Sequence, residues 1–152
     1  MRKIEQLVVH CSANSANSTL RAAGIRKYHM EKKGWSDIGY HYVIPRDGKL
    51  EEGRDIDTMG AGVSGFNKHS LHVCLVGGLD AEGKPENNFT DAQMKTLRGL
   101  LTDLQRKIYA RSGIWPAVVG HRDFPGVKKA CPCFDVIPWF YNMNEDTDEV
   151  EN

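Results

Sequence analysis

The chain has 152 residues, 20 basic and 20 acidic side chains, a formal net charge of zero and 40% hydrophobic residues. That length suits one domain around a single core, and no linker-like segment, internal repeat or low-complexity stretch divides the body. No run approaches the ~20 apolar residues of a membrane helix, and the start Met1-Arg2-Lys3-Ile4-Glu5-Gln6 lacks the apolar stretch of a signal peptide.

Gln6-Leu7-Val8-Val9-His10 is predicted to be a buried strand, being short and rich in β-branched residues. Thr19 to Lys33 is predicted to be a helix with Leu20, Ala23, Ile25 and Tyr28 near one face and Gly34 as its C-cap. Tyr40-His41-Tyr42-Val43-Ile44 and Lys49-Leu50-Glu51 flank Arg46-Asp47-Gly48, and Asp-Gly between two strand-like runs signals a hairpin. Leu71 to Val76 reads as a second buried strand, ended by Gly77-Gly78.

Thr90-Asp91-Ala92-Gln93 has the pattern of a capping box. It opens a long helix whose apolar face is Met94, Leu97, Leu101, Leu104 and Ile108. Ala117-Val118-Val119 is a short strand that delivers His121 at its end, and Asp135 is expected to cap a last helix through Trp139 and Tyr141. Interleaved strands and helices give an α/β fold: a mixed central β-sheet flanked by about three helices, in a single domain over 1–143. Residues 144–152 hold five of the acidic side chains and are expected to form a solvated, disordered tail. Without them the body carries a net +5, which suits an anionic polymer.

Ligands collect at strand ends in such sheets, and His10 and His121 both fall there. Ten residues past His121 stands Cys131, in Lys128-Lys129-Ala130-Cys131-Pro132-Cys133. Two histidines and a cysteine are the ligand types zinc prefers, and three protein ligands leave a position for water, the mark of a catalytic site. Taken singly, each also reads as a hydrogen-bonded core histidine or a small buried thiol. Cys11, Cys74, Cys131 and Cys133 are read as reduced, because a cytoplasmic chain of this size needs no disulfide and Cys131 and Cys133 are too close in sequence to bridge comfortably.

The surrounding words make the pattern specific. Val8-Val9-His10-Cys11-Ser12-Ala13, Gly34-Trp35-Ser36-Asp37-Ile38-Gly39-Tyr40-His41-Tyr42 and Ile44-Pro45-Arg46-Asp47-Gly48 come first. Glu52-Gly53-Arg54-Asp55, Val73-Cys74-Leu75-Val76-Gly77-Gly78 and Phe89-Thr90-Asp91-Ala92-Gln93 follow, then Gly120-His121-Arg122-Asp123 and Lys129-Ala130-Cys131-Pro132. In content and order they resemble the zinc-dependent N-acetylmuramoyl-L-alanine amidases, a family that includes phage amidase-type lysozymes, anhydromuropeptide amidases and peptidoglycan recognition proteins.

The resemblance implies one Zn2+ held by His10, His121 and Cys131, with Tyr40 and Lys129 as catalytic residues. It implies hydrolysis of the amide between the lactyl group of N-acetylmuramic acid and L-alanine of the peptidoglycan stem peptide, by a water whose pKa zinc lowers from ~15.7 toward ~7. Zinc, Lys129 and Tyr40 would stabilise the developing oxyanion. The departing amine takes its proton from Tyr40 or from the water on the metal. Asn67, His72 and Lys128 are further candidate contacts to substrate.

Two departures from the family pattern stand out. The usual Gly-Ala-His is Gly60-Ala61-Gly62, and the usual Ser-Ile-Gly is Ser70-Leu71-His72. The expectation is that the His72 imidazole partly fills the space vacated near Gly62. Cys133 is a possible spare ligand, but with one residue between them both thiols could face one metal only by straining the loop, so Cys131 is preferred.

Other readings are a thiol hydrolase using Cys11 or Cys74, a non-catalytic peptidoglycan-binding module, and a regulator that contacts an RNA polymerase. Cys11 follows a strand without a nucleophile elbow. The binding modules of this type lose the ligand cysteine, which this chain keeps. Only about five residues precede the first strand, a short arm for a polymerase contact. Finger-type Cys/His spacing is absent, so no nucleic-acid partner is expected. The expected protein is a phage or prophage endolysin made in the cytoplasm, without membrane insertion, acting on peptidoglycan or muropeptides. A cytoplasmic recycling amidase and an exported effector fit the same features.

Overall fold

Alternation along the central strand decides which side chains meet. In the computed structural model, which describes residues 2–142, β1 (Gln6–Cys11) sits inside a five-stranded sheet. It pairs in parallel with β5 (Ser70–Leu75) on one side and β7 (Ala117–Gly120) on the other. β5 pairs in parallel with β3 (Tyr42–Ile44), and β3 runs antiparallel to β4 (Glu51–Glu52), so the sheet is mixed, in the order β4-β3-β5-β1-β7. A short parallel pair, β2 (Asn14–Ser15) with β6 (Gly78–Leu79), lies beside it. The acidic segment 144–152 lies outside the described residues.

Successive side chains of a strand point to opposite faces. Leu7 and Val9 of β1, with Leu71, Val73 and Leu75 of β5, pack under Leu97, Leu101, Leu104 and Ile108 of α2 (Asp91–Ser112). Val118, Phe134 and Val136 complete that core, the last opening α3 (Val136–Tyr141). The opposite face carries Val8, His10, His72, Cys74 and Val43, covered by α1 (Ala22–Glu31) and the segments around Ile38 and Val63. Burying one Leu or Val side chain stabilises by about 1.5–3 kcal/mol, so the α2 face is the main cohesive layer and the other face is free to hold polar groups.

The capping box at Thr90 forms as its sequence pattern predicts: Thr90 Oγ1 accepts the Gln93 N–H and the Gln93 side chain accepts the Thr90 N–H. Gln93 does more than cap. Fully buried, it donates through Nε2 to the carbonyls of Ile44 (3.0 Å) and Val76 (2.9 Å), and Oε1 also accepts from Arg46 (3.1 Å). One side chain therefore ties the start of α2 to the ends of β3 and β5.

Four local expectations are corrected. α1 begins at Ala22, not Thr19, and Arg21 precedes it with no side-chain cap. Its buried face is Ala22, Ile25 and His29, while Ala23 and Tyr28 are exposed, because His29 turns inward against Trp35. Gly34, with φ 71°, lies two residues past the C-cap Lys32. Asp135 does sit at the start of α3 but makes no cap; its carboxylate is taken by Arg122.

Gln93→Leu strands several buried polar groups at once and is expected to destabilise the fold by about 3 kcal/mol, against about 1 kcal/mol for Thr90→Ala. Urea unfolding of the two variants measures this. Equal, small losses would mean the Gln93 links to β3 and β5 contribute nothing beyond the cap.

Candidate active site

His10, His121 and Cys131 arrive from three segments of chain. His10 is near the end of β1, and the pairing of Val9 with Gly120 sets the next residue after β7, His121, beside it. His121 opens a single 3-10 turn, His121–Asp123, in which the Asp123 carboxylate accepts the Gly120 N–H (2.7 Å). Arg122 then fastens the third segment. Its backbone N–H donates to the Cys131 carbonyl (3.0 Å), and its guanidinium donates to the Ala130 carbonyl (3.2 Å) and the Asp135 carboxylate (2.6 Å). The Cys131 sulfur in turn accepts the backbone N–H of Cys11 at 3.1 Å.

One ligand atom from each of His10, His121 and Cys131 lies within 4.8 Å of the others. His10 Nδ1 and His121 Nδ1 are 3.2 Å apart. Two Zn–N bonds of about 2.05 Å at a tetrahedral angle need about 3.3 Å between the nitrogens, so the pair fits zinc as it stands. Cys133 is not part of this group: its thiol donates to the Gly78 carbonyl (3.3 Å) and meets Cys11 Sγ at 3.9 Å. Burial pushes the Cys133 thiol up to about 11, an inert thiol near neutrality. All four cysteines are unpaired.

The electrostatics favour metal-ligating forms. Burial, and then the neighbouring imidazoles of His72 and His121, hold His10 well below the usual histidine range. Burial and the Lys129 ammonium lower His121. Both rings are thus neutral at pH 7, the form that binds a metal. His10, His121 and Cys131 line a cleft of about 600 Å3 together with Tyr40, Gly62, Trp35 and Lys129.

Tyr40 stands with its ring 5.2 Å from that of His10. Burial, with the Cys74, Cys131 and Cys11 thiols acting the same way, raises its phenol well above the ordinary value, so it stays a neutral hydroxyl. The segment carrying it is clamped by the word Glu52-Gly53-Arg54-Asp55. Gly53 N–H donates to the His41 carbonyl and Arg54 N–H to the Tyr40 carbonyl, both at 2.8 Å. The Arg54 guanidinium adds the carbonyls of Ile38 (2.8 Å) and Met59 (2.7 Å). Gly53 has to be glycine here, since a Cβ would run into the Tyr40 carbonyl.

The candidate substrate contacts separate. Lys128 is exposed on an adjoining cleft of about 790 Å3 that shares Trp35, Gly62 and Lys129 with the first. Asn67 lines the same cleft, but its Oδ1 is engaged by the N–H groups of Gly62 (3.0 Å) and Val63 (2.9 Å), bracing the loop. His72 does not line either cleft. It is fully buried behind His10, so a direct substrate contact is not open to it. It does occupy the space beside Gly62, where an added Cβ would land on its Nδ1. Sequence reasoning gave no role to Arg54, Arg122 or Trp35, although each lies inside a motif word whose spacing was recognised.

The buried imidazoles make an acid-sensitive layer. Burial first, then the charge of Arg2 and, for His72, that of protonated His41, brings His41 to about 4 and His72 to about 3, from an ordinary 6.5. The unfolded chain therefore takes up protons first as pH falls: stability is full above about 6.5 and is lost on going down toward 4 and 3. Between pH 7.5 and 5 the two residues together remove roughly 4 kcal/mol from the metal-free protein. Urea unfolding at the two pH values is expected to read at least this loss, with His10 adding to it in the same direction, and His41→Gln to reduce it by about 2 kcal/mol. An unchanged pH difference in that variant would assign the acid sensitivity elsewhere.

The family model described as N-acetylmuramoyl-L-alanine amidase matches residues 1–134. The chain is similar to the endolysin of Klebsiella phage KP32, 45% identical over 139 residues, covering 91% of this chain and 87% of that one. It is similar also to the endolysin of Enterobacteria phage K11, 46% identical over 138 residues, with 91% and 86% covered. Among solved structures, PGRP-SA of Apis mellifera matches in fold with a TM-score of 0.73 at 23% identity, over 95% of this chain and 86% of that one.

Proposed function

This chain belongs to the N-acetylmuramoyl-L-alanine amidase family, and we propose that it works with one zinc ion held by His10, His121 and Cys131, as an endolysin acting on the bacterial cell wall. The reaction itself is that of the family: hydrolysis of the amide that joins the lactyl group of N-acetylmuramic acid to L-alanine of the stem peptide. The observation that carries the zinc reading is the 3.2 Å approach of two imidazole Nδ1 atoms beside the Cys131 thiol, in a cleft. Two neutral nitrogens and a sulfur turned on one point suit a cation between them, and this N, N, S set is one that zinc prefers.

When bound, a zinc ion with three protein ligands supplies Lewis-acid activation of water and carbonyl near neutral pH. The chain's own residues supply the rest. Tyr40, kept neutral by burial, donates its hydroxyl proton in a hydrogen bond to the carbonyl oxygen as charge develops there. Lys129, exposed at the cleft edge, adds a positive charge toward the same oxygen. The leaving amine takes its proton from the Tyr40 hydroxyl or from a water in the cleft. Lys128 on the adjoining cleft offers a positive charge to a polymer that continues past the scissile amide.

The endolysin setting rests on relatives of that name that match this chain over more than four-fifths of their length. Action on the wall then follows release of the protein by a membrane-permeabilising partner. Among the described residues no helix is long and apolar enough to cross a membrane.

The decisive assay is release of new amino groups from purified peptidoglycan, with product masses, before and after zinc chelation. Free stem peptides and an intact lactyl-bearing glycan are expected, abolished by chelation and restored by zinc. Cys131→Ser is expected to lose both zinc and activity. Tyr40→Phe and Lys129→Ala are expected to keep zinc and to lose about 10²-fold or more in kcat. Binding of the polymer without cleavage by the zinc-loaded wild type would overturn the reading in favour of a recognition module.

A further inference from the structure

We propose that His72 is a positioning residue for His10: its Nδ1 accepts the His10 Nε2–H, which commits His10 Nδ1 to the metal, and Gly62 stays free of a side chain to admit it. The inference rests on the zinc reading above.

The two nitrogens of His10 have different surroundings. Nδ1 faces His121 Nδ1 at 3.2 Å, and Nε2 faces His72 Nδ1 at 2.8 Å. A neutral imidazole carries one N–H. If Nδ1 gives its lone pair to a cation, the proton sits on Nε2 and needs an acceptor. Among the described residues the only partner of Nε2 is His72 Nδ1.

That role fixes the proton on His72 as well. Its Nδ1 must be bare, so the hydrogen is on Nε2, a buried atom with no hydrogen-bond partner among the described residues. Flipping the ring would turn carbon toward His10 and lose the bond. The ring is therefore set to serve His10 at the expense of its own second nitrogen. A leucine or valine would fill this fully buried strand position with no unpaired polar atom, so packing alone does not account for an imidazole.

The ring is also held still. His72 lies in β5, level with Val8 of β1. Its backbone N–H donates to His41 Nδ1 (2.9 Å), and the two rings are nearly parallel, at 9° with centroids 5.8 Å apart. His41 in turn donates from Nε2 to the Thr58 carbonyl (2.8 Å), which leaves the Arg2 guanidinium, 3.2 Å from the same nitrogen, without a bond to it. Gly62 closes the arrangement from the other side. A Cβ there would land on His72 Nδ1 and reach within 2.8 Å of His10 Nε2, displacing the accepting atom itself. Partners of this kind, holding the far nitrogen of a ligating histidine, typically change metal affinity 10–100-fold.

Zinc affinity by chelator competition tests the idea without relying on turnover. His72→Leu and Gly62→Ala are each expected to bind zinc about 10–100-fold more weakly than wild type. His72→Asn, whose Oδ1 takes the place of Nδ1, is expected to bind close to wild type. His72→Leu binding as tightly as wild type overturns the proposal. A second readout needs no variant: in nitrogen-15 spectra of the zinc-loaded wild type, His10 is expected to carry its proton on Nε2, and a proton on Nδ1 overturns the proposal. Wild type that fails to bind zinc at all would overturn the zinc reading instead, a result distinct from either.

Discussion

The site depends on the parallel pairing of β1 with β5 and β7. That pairing sets His10 beside the residue that follows β7, and puts His72 on the same face as His10, one diagonal away. The side-chain period of a strand is two, so a slip of one residue would swing His10 into the layer under α2 and bring Val9 to the cleft. What prevents the slip is the apolar set Leu7, Val9, Leu71, Val73 and Leu75, each fully buried against α2. The packing of one face thus specifies the chemistry of the other. Leucines that touch nothing in the cleft decide which imidazoles do.

Strands place only two of the three ligand candidates. The remaining groups sit on irregular chain, whose backbone has no ladder to satisfy it. Two arginines fill that need. Arg122 gathers the Cys131 segment onto the His121 turn through two carbonyls and a carboxylate, and Arg54 fastens the chain before Tyr40 through the carbonyls of Ile38, Asp37 and Met59. A guanidinium suits the task because its donors are rigid, planar and numerous. The exposed pairs Arg21–Asp47 and Lys3–Glu5 have no such work, and pairs of that kind contribute little to stability.

Much of this was legible in the sequence, and the gaps have physical reasons. β1, β5 and β7 read clearly because continuous β-branched runs have few alternatives when buried on both faces. The start of α2 read clearly because a capping box is a local device whose partners are three residues apart. α1 misled: its inward face includes His29, a polar residue by periodicity, and its start has no local cap, the Ala22 N–H being taken instead by the Glu51 carboxylate from β4 (2.8 Å). Asp135 misled for a different reason, since a local cap lost to a partner thirteen residues away. The His10, His121 and Cys131 grouping was legible only through motif words, because 111 residues separate the two histidines. The relation of His72 to His10 was beyond sequence reasoning. It is a nitrogen-to-nitrogen contact across two strands, and nothing in either strand's pattern announces it.

That contact also bears on why an imidazole, rather than a carboxylate, would stand behind His10. A carboxylate would accept the same N–H and strengthen His10 as a ligand more, but its negative charge would sit next to the cleft in a buried, low-dielectric layer. Held by two neutral histidines and a cysteine that ligates as thiolate, a divalent ion keeps a net positive charge. A neutral acceptor leaves that charge undiminished for polarising a carbonyl, whereas a carboxylate would cancel much of it. Lys129 acts in the same sense, its ammonium lowering His121 while adding positive potential at the cleft edge. The cost falls on folding: His10, His41 and His72 must all stay uncharged inside the protein, so the fold gives up stability in acid to hold its imidazoles neutral.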